Sequence, residues 1–87
     1  MNTDFQAERR KKKAIEIGFM CKVYREKEHL SVRQIANKAG YLSQTVYAFE
    51  KGRSNSTIIL FDCYINQLNK QNQLDLIKGI KECLNNA

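Results

Sequence analysis

The sequence has no proline, one histidine and three cysteines among 87 residues. Without proline, no rigid linker divides the chain, and this length suffices for one small domain. One histidine leaves no Ser/His/Asp or Cys/His pattern, and no glycine-rich loop is present to hold a phosphate. We therefore expect a single domain, residues 1–87, without enzymatic activity.

Long apolar runs are also missing. None approaches the ~18 residues that span a bilayer, and the charged N-terminal segment precedes no signal-peptide core, so we expect a cytoplasmic protein with no membrane contact. Cys21, Cys63 and Cys83 are odd in number and form no CxxC pair, which favours reduced, mostly buried thiols. A metal site combining them with His29 is the alternative, but structural zinc usually takes ligands from close pairs. We expect neither a metal nor another cofactor.

The net charge is the first feature of the sequence that indicates a class of partner. Fifteen Lys and Arg against nine Asp and Glu give a net charge of +6, which favours polyanions as partners. A solvated basic surface is the alternative, because many small basic proteins bind no nucleic acid.

Apolar spacing predicts an all-α domain of five helices, with no alternating strand pattern and no internal repeat. Helix 1 follows the basic segment and ends near Glu28, with a core stripe that includes Ile17 and Cys21. Helix 4 follows a cap at Thr57, and a C-terminal helix lies within residues 70–87. Residues 1–13 are expected to form a basic, flexible arm. Helix 4 is expected to bury Ile58, Phe61, Tyr64, Ile65 and Leu68. Helix 5 is expected to carry Leu74, Ile77, Ile80, Lys81 and Leu84 on one side, with Leu76 and Cys83 adding apolar width.

Residues 30–52 predict two short helices joined by a glycine turn. Ser31 and Gln34 have the spacing of a capping box at the start of helix 2, residues 32–39. Gly40 supplies a left-handed turn, and Gly52 ends helix 3, residues 43–51. Ala36 is small enough for the close contact of two crossing helices. The pattern is typical of a helix-turn-helix, and an ordinary αα-hairpin in a helical core is the alternative.

Residues 17–68 resemble the lambda-repressor and Cro-like family of helix-turn-helix regulators. The resemblance implies a sequence-specific DNA-binding transcriptional regulator whose helix 3 lies in the major groove. It rests on Ile17-Gly18, Lys22, Arg25, Leu30-Ser31, Ile35-Ala36, Ala39-Gly40, Gln44-Thr45-Val46, Glu50-Lys51-Gly52, Thr57-Ile58, Phe61 and Leu68.

The resemblance also implies which residues contact DNA, and their chemistry agrees. Gln44 can bond bidentately to adenine, and Ala48 can touch a thymine methyl. The Tyr47 ring either reaches DNA or lies across the helix surface. Base contacts are expected from Ser43, Gln44, Tyr47 and Ala48. Phosphate contacts are expected from Arg33, Gln34, Lys51, Arg53, Ser54 and Asn55. Arm contacts, with a solvated charge run as the alternative, are expected from Arg9, Arg10, Lys11, Lys12 and Lys13.

The family pattern pairs Glu50 with a basic residue of helix 1, and Arg25 is the natural partner, for a modest gain in stability. The chain departs from the pattern at Val32, Leu42 and Ser56. Val32 weakens one expected phosphate contact, and Leu42 leaves Ser43 as the expected cap of helix 3, which would divert its hydroxyl from bases.

Helices 1 and 5 carry more apolar surface than one core stripe needs, and two ways of covering it remain open. A homodimer on a palindromic operator is expected from helix 5, through Leu76, Ile77, Ile80, Cys83 and Leu84. Alternatively, helix 5 folds back within the monomer onto Ile15, Phe19 and Val23. A protein-interaction module of the same fold, an antitoxin or antirepressor that binds a partner protein, is the second functional hypothesis, because helix 4 adds Ile59 and Leu60 to this excess surface.

Overall fold

The computed structural model describes residues 3–53 and 57–85, which form five α-helices and no strand. This confirms the all-α prediction. Across those residues, no helix is both long and apolar enough to cross a membrane. The helices are α1 (Thr3–Lys27), α2 (Val32–Ala39), α3 (Ser43–Glu50), α4 (Thr57–Gln67) and α5 (Lys70–Asn85).

The basic segment is helical and does not form an arm over residues 3–13. Its Arg, Lys, Glu, Gln and Ala residues are among the better helix formers, and they continue α1 without a break. The cations at 9–13 are therefore carried on the helical surface of α1.

The core takes residues from all five helices. Phe49 of α3 and Tyr64 of α4 meet near its centre, with ring centroids 5.4 Å apart. Ala36 is 2 % exposed where α2 packs against α3 and α4, as its small side chain predicts. The buried cluster consists of Cys21, Val32, Ile35, Ala36, Val46, Phe49, Leu60, Cys63, Tyr64, Leu68 and Leu76.

The predicted inward face of α4 is confirmed for Tyr64 and Leu68, which are buried, and for Phe61 and Ile65, which pack against the core, but it is wrong for Ile58. Leu60 is fully buried, whereas Ile58 is 83 % exposed and Ile59 is also exposed. Four consecutive apolar residues, 58–61, fit more than one helical face, and the packing of α4 into the core selects Leu60, which joins Cys63 and Tyr64 in the buried cluster.

The buried side of α5 is not the side on which most of its apolar residues were predicted to lie. Leu76 and Cys83 are buried and Ile80 packs against the core, whereas Leu74, Ile77 and Leu84 are exposed. The helix does fold back along α1, but it covers the side that carries Met20 and Glu16. Exposed apolar side chains on the other side of α1 are Ile15, Phe19 and Val23.

A carboxylate anchors the start of α5 to the end of α1. Glu28 Oε2 accepts hydrogen bonds from the Asn69 backbone N–H at 2.8 Å and from Asn72 Nδ2 at 2.7 Å. Asn69 Oδ1 in turn accepts from the Asn72 N–H at 2.9 Å, which caps the first turn. These bonds hold the start of α5 against the end of α1.

Gly18 allows α1 to approach the end of α3 closely. It is buried, and a Cβ atom at this position would lie 2.7 Å from the carbonyl oxygen of Glu50. A backbone atom cannot move aside as a side chain can, so even a methyl group requires the two helices to separate.

We expect Gly18→Ala to lower the free energy of unfolding by about 1 to 3 kcal/mol, in spite of alanine's better helix propensity. The matched control is Gly79→Ala in α5, where the new Cβ would meet only the flexible Met20 side chain, its sulfur at 3.0 Å. Gly79→Ala should be neutral or stabilising by up to about 1 kcal/mol. Urea denaturation measures both, and equal stability of the two variants would contradict the close approach of α1 and α3.

Candidate nucleic-acid interface

The start of α2 is fixed by the predicted capping box. Ser31 Oγ accepts from the Gln34 N–H at 3.0 Å, and Gln34 Oε1 accepts from the Ser31 N–H at 2.7 Å. The helix ends at Gly40, whose φ of 76° is left-handed, and the Tyr41 N–H donates to the Ala36 carbonyl at 3.0 Å. Both ends of α2 are thus held locally, and a short turn leads directly into α3.

The end of α3 is a Schellman motif built on Gly52. The Gly52 N–H donates to the Phe49 carbonyl at 2.9 Å, and the Arg53 N–H donates to the Ala48 carbonyl at 2.8 Å. Gly52 has a φ of 79°, and a Cβ there would lie 2.7 Å from the Ile15 Cα of α1. Lys51 and Arg53 are therefore held in a defined position after α3.

Four residues expected to read bases share one side of α3. Gln44 and Tyr47 are exposed and three residues apart, while Ser43 and Ala48 flank them and are half-buried. Leu42 is the N-cap of α3 and makes no side-chain cap hydrogen bond, so the assignment of that cap to Ser43 was wrong. The Ser43 hydroxyl is not consumed by capping and remains on this side of the helix.

The cations expected at phosphates border that surface. Lys51 and Arg53 follow α3, Arg33 lies in the first turn of α2, and all three are exposed. Gln34 is exposed as well, but its amide oxygen is used in the capping box, so only its NH₂ group is left to donate. Ser54 and Asn55 lie outside the described residues.

A groove of about 570 Å³ lies between α1, the start of α2 and α3. Lys22 and Lys51 border it from opposite helices, and the Tyr47 ring contributes to its wall. Lys22 was part of the resemblance but was not among the predicted contact residues. The position of Lys22, five residues before the end of α1, did not indicate that it would lie beside α3.

The predicted Arg25–Glu50 pair is confirmed, and it is buried. Arg25 Nε lies 2.6 Å from Glu50 Oε2, and Arg25 Nη2 lies 3.2 Å from Glu50 Oε1, a bidentate arrangement. Arg25 Nη1 also donates to the Leu30 carbonyl at 2.8 Å. Tyr64 donates its hydroxyl to Glu50 Oε2 from the core. Glu50 is only 7 % exposed, so the modest value expected of a surface pair does not apply.

Burial and Glu50 raise the pKa of two neutral groups beside the Arg25–Glu50 pair. For Tyr64, burial raises the pKa most, followed by the hydrogen bond to Glu50 and then by the charge of Glu50. Burial, and then Glu50, raises the pKa of the Cys21 thiol to about 12. Both groups stay protonated at neutral pH, so Glu50 keeps a hydroxyl donor and Cys21 behaves as an apolar side chain.

The other two cysteines are buried separately, in agreement with the prediction. Cys63 Sγ donates to the Ile35 carbonyl at 3.5 Å, and Cys83 Sγ lies 3.4 Å from Glu16 Oε2. No disulfide links the three cysteines.

The basic residues 9–13 lie along the surface of α1. Arg9, Arg10, Lys11 and Lys12 are exposed, whereas Lys13 is half-buried and donates to the Cys83 carbonyl of α5. The five cations consequently do not form one surface.

Comparisons with known proteins give no match to a family model, a curated protein or a solved structure.

Proposed function

We propose that this protein is a sequence-specific double-stranded DNA-binding transcriptional regulator, a repressor or control protein of bacterial, phage or mobile-element origin. The proposal includes a lambda-repressor-like helix-turn-helix formed by α2 and α3. The observation that carries it is the surface of α3, which presents Gln44 and Tyr47 to solvent while Gly40 ends α2 and Gly52 follows the end of α3. Exposed polar residues between exposed cations are what a DNA-reading helix requires.

In this function α3 lies in the major groove and its side chains meet base edges. Gln44 donates to N7 and accepts from N6 of an adenine, Ser43 bonds to a neighbouring base, and Ala48 contacts a thymine methyl. Tyr47, 53 % exposed at the groove beside Lys51, is long enough for either a base or a phosphate.

Phosphates on the two sides of the major groove are neutralised by cations from different elements. Lys51 and Arg53 act at the end of α3, and Arg33 acts at the start of α2, assisted by the NH₂ group of Gln34. Lys22 joins them because it borders the same groove as Lys51. Ser54 and Asn55 are proposed as further phosphate contacts from the sequence.

We expect Lys51→Ala and Arg53→Ala each to weaken binding to all DNA sequences alike and to reduce the salt slope by about one unit. The matched control is Lys78→Ala, which removes the same charge from the exposed surface of α5. Fluorescence anisotropy with labelled duplexes at several salt concentrations measures the slope. A loss of slope as large in Lys78→Ala would show that net charge alone governs binding.

A dimer follows from the limited number of base pairs that one α3 can read. Two copies on half-sites roughly 34 Å apart give useful specificity. Of the residues expected to dimerise, Leu76, Ile80 and Cys83 are committed to the monomer's own packing. The surface available on α5 is that of the exposed Leu74 and Ile77, because Leu84, although exposed, lines a groove against α1.

We expect the protein to sediment as a dimer at micromolar concentration and Ile77→Asp to sediment as a folded monomer. Ile77 is the right position because it is exposed, whereas a charge at Ile80 would enter the core. Ile58→Asp on α4 is the control, since it places the same charge on another exposed isoleucine. A monomeric parent protein would rule out the α5 dimer.

The second candidate function is a protein-interaction module, and the exposed stripe on α1 favours it. Ile15, Phe19 and Val23 are 48 %, 60 % and 40 % exposed, which is more apolar surface than an uncovered helix usually carries. In this role the protein captures a partner protein as an antitoxin or antirepressor. Val23→Ser, at the stripe residue outside the groove beside α3, then weakens partner capture and leaves any DNA binding unchanged.

A further inference from the structure

A second groove lies on the side of α1 that faces α5. It is an open groove of about 500 Å³, and Ala14, Ile17 and Leu84 give it an apolar floor. Arg9 and Arg10 line it from the preceding turn, and both are exposed. Lys13 also lines it but is engaged with the Cys83 carbonyl, so the groove's available cations are the two arginines.

Helical geometry separates these arginines from the neighbouring lysines. Arg9 and Arg10 precede Ile17 by eight and seven residues, two helical turns, and so lie above the groove floor. Lys11 and Lys12 precede Ile15 by four and three residues and share its side of α1. The basic run therefore supplies two surfaces, one beside the groove floor and one beside Ile15.

The lysine surface adjoins the proposed DNA interface. Ile15 packs against Gly52, which lies between Lys51 and Arg53 at the end of α3. One turn earlier on the same side of α1, Lys11 and Lys12 extend this row of cations. Arg9 and Arg10 lie on the other side, toward α5, away from that row.

We propose that the groove between α1 and α5 binds an acidic amphipathic helix of a partner protein. Such a helix sets an apolar side chain against Ile17 and Leu84 and offers carboxylates to Arg9 and Arg10, which bind them bidentately. The apolar floor argues against a DNA backbone, because phosphates and sugars leave Leu84 uncovered. The site does not depend on DNA binding, and its position allows partner and DNA to be held together.

The test is a crossover between two double variants with the same loss of charge. The probe is a fluorescein-labelled synthetic amphipathic helix of glutamate and leucine, titrated with the protein at about 0.15 M salt, where long-range attraction is screened. Arg9→Gln/Arg10→Gln alters the groove, and Lys11→Gln/Lys12→Gln alters the other side of α1. A second titration uses a labelled DNA duplex. Circular dichroism checks that each variant keeps its helical content.

We expect Arg9→Gln/Arg10→Gln to weaken binding of the acidic peptide about tenfold and to leave DNA affinity unchanged. Lys11→Gln/Lys12→Gln should weaken DNA binding about tenfold and leave the affinity for the acidic peptide unchanged. Leu84→Ser should weaken peptide binding several-fold, whereas Ile58→Ser, at an exposed apolar residue of α4, should have no effect.

Three results overturn the proposal: no peptide binding by the parent protein, equal weakening by both double variants, or an arginine double variant that loses DNA affinity alone. The last result would make the groove a DNA surface. Failure of the DNA titration with every protein contradicts the proposed function and leaves the peptide result standing, so the two failures are distinguishable.

Discussion

Glu50→Ala is expected to lower the free energy of unfolding by about 3 to 5 kcal/mol, the range for breaking a buried ion pair by removing one partner. The substitution leaves the Arg25 guanidinium buried with the Leu30 carbonyl as its remaining close partner. It also leaves the Tyr64 hydroxyl in the core without its acceptor. Urea denaturation followed by circular dichroism measures the loss.

Glu26→Ala is the matched control, because Glu26 Oε2 also faces Arg25, at 3.9 Å from Nη2, but its side chain is 58 % exposed. We expect it to cost about 1 kcal/mol or less. Replacing the pair together, Arg25→Met with Glu50→Leu, should recover much of the stability lost in Glu50→Ala, since no unpaired charge is left buried. Equal losses in Glu50→Ala and Glu26→Ala would contradict a buried network.

Gln44→Ala is expected to weaken binding to the preferred DNA site by about 1 to 3 kcal/mol and to relax the preference at one base pair. The reason is the loss of a bidentate contact to one base, with phosphate contacts unchanged. Gln44 is exposed and lies outside the buried cluster, so the variant should fold as stably as the parent.

Competition binding with single-base variants of the site measures this change. Gln71→Ala, an exposed glutamine of α5, serves as control and should leave affinity and preference unaltered. An equal loss for Gln44→Ala on unrelated DNA would assign Gln44 to the backbone, and no loss would remove it from the interface.

The region around α2 and α3 was predictable because its signals are local. The capping box at Ser31 and the left-handed glycines 40 and 52 specify ends through backbone chemistry within a few residues, and the structure has all three. The Arg25–Glu50 pair came from the family resemblance, and its burial could not be read from the residues alone.

Periodicity alone did not fully predict the inward faces of α4 and α5. In α4 the apolar run 58–61 contains a buried Leu60 beside an exposed Ile59, and only tertiary packing decides which of the two is buried. In α5 the apolar residues surround more than half of the helix. The signal that could have identified its inner face is Gly79, which lets α5 approach Met20 on the same side as Leu76 and Cys83.

Tyr64 was predicted as a core residue, but its hydroxyl bond to Glu50 was not. The bond joins α4 to the last residue of α3. A tyrosine in an apolar stripe needs a partner for its hydroxyl when it is fully buried, and this requirement was the available clue.

The most direct test of the central claim is selection of bound sequences from a random duplex library at two salt concentrations, with the parent protein and Gln44→Ala in parallel. The account predicts a palindromic site with half-sites about 10 base pairs apart, enriched at both salt concentrations, and a relaxed position in each half-site for the variant. Retention of DNA that shows no enriched sequence at either salt concentration, or no retention at all, would contradict it.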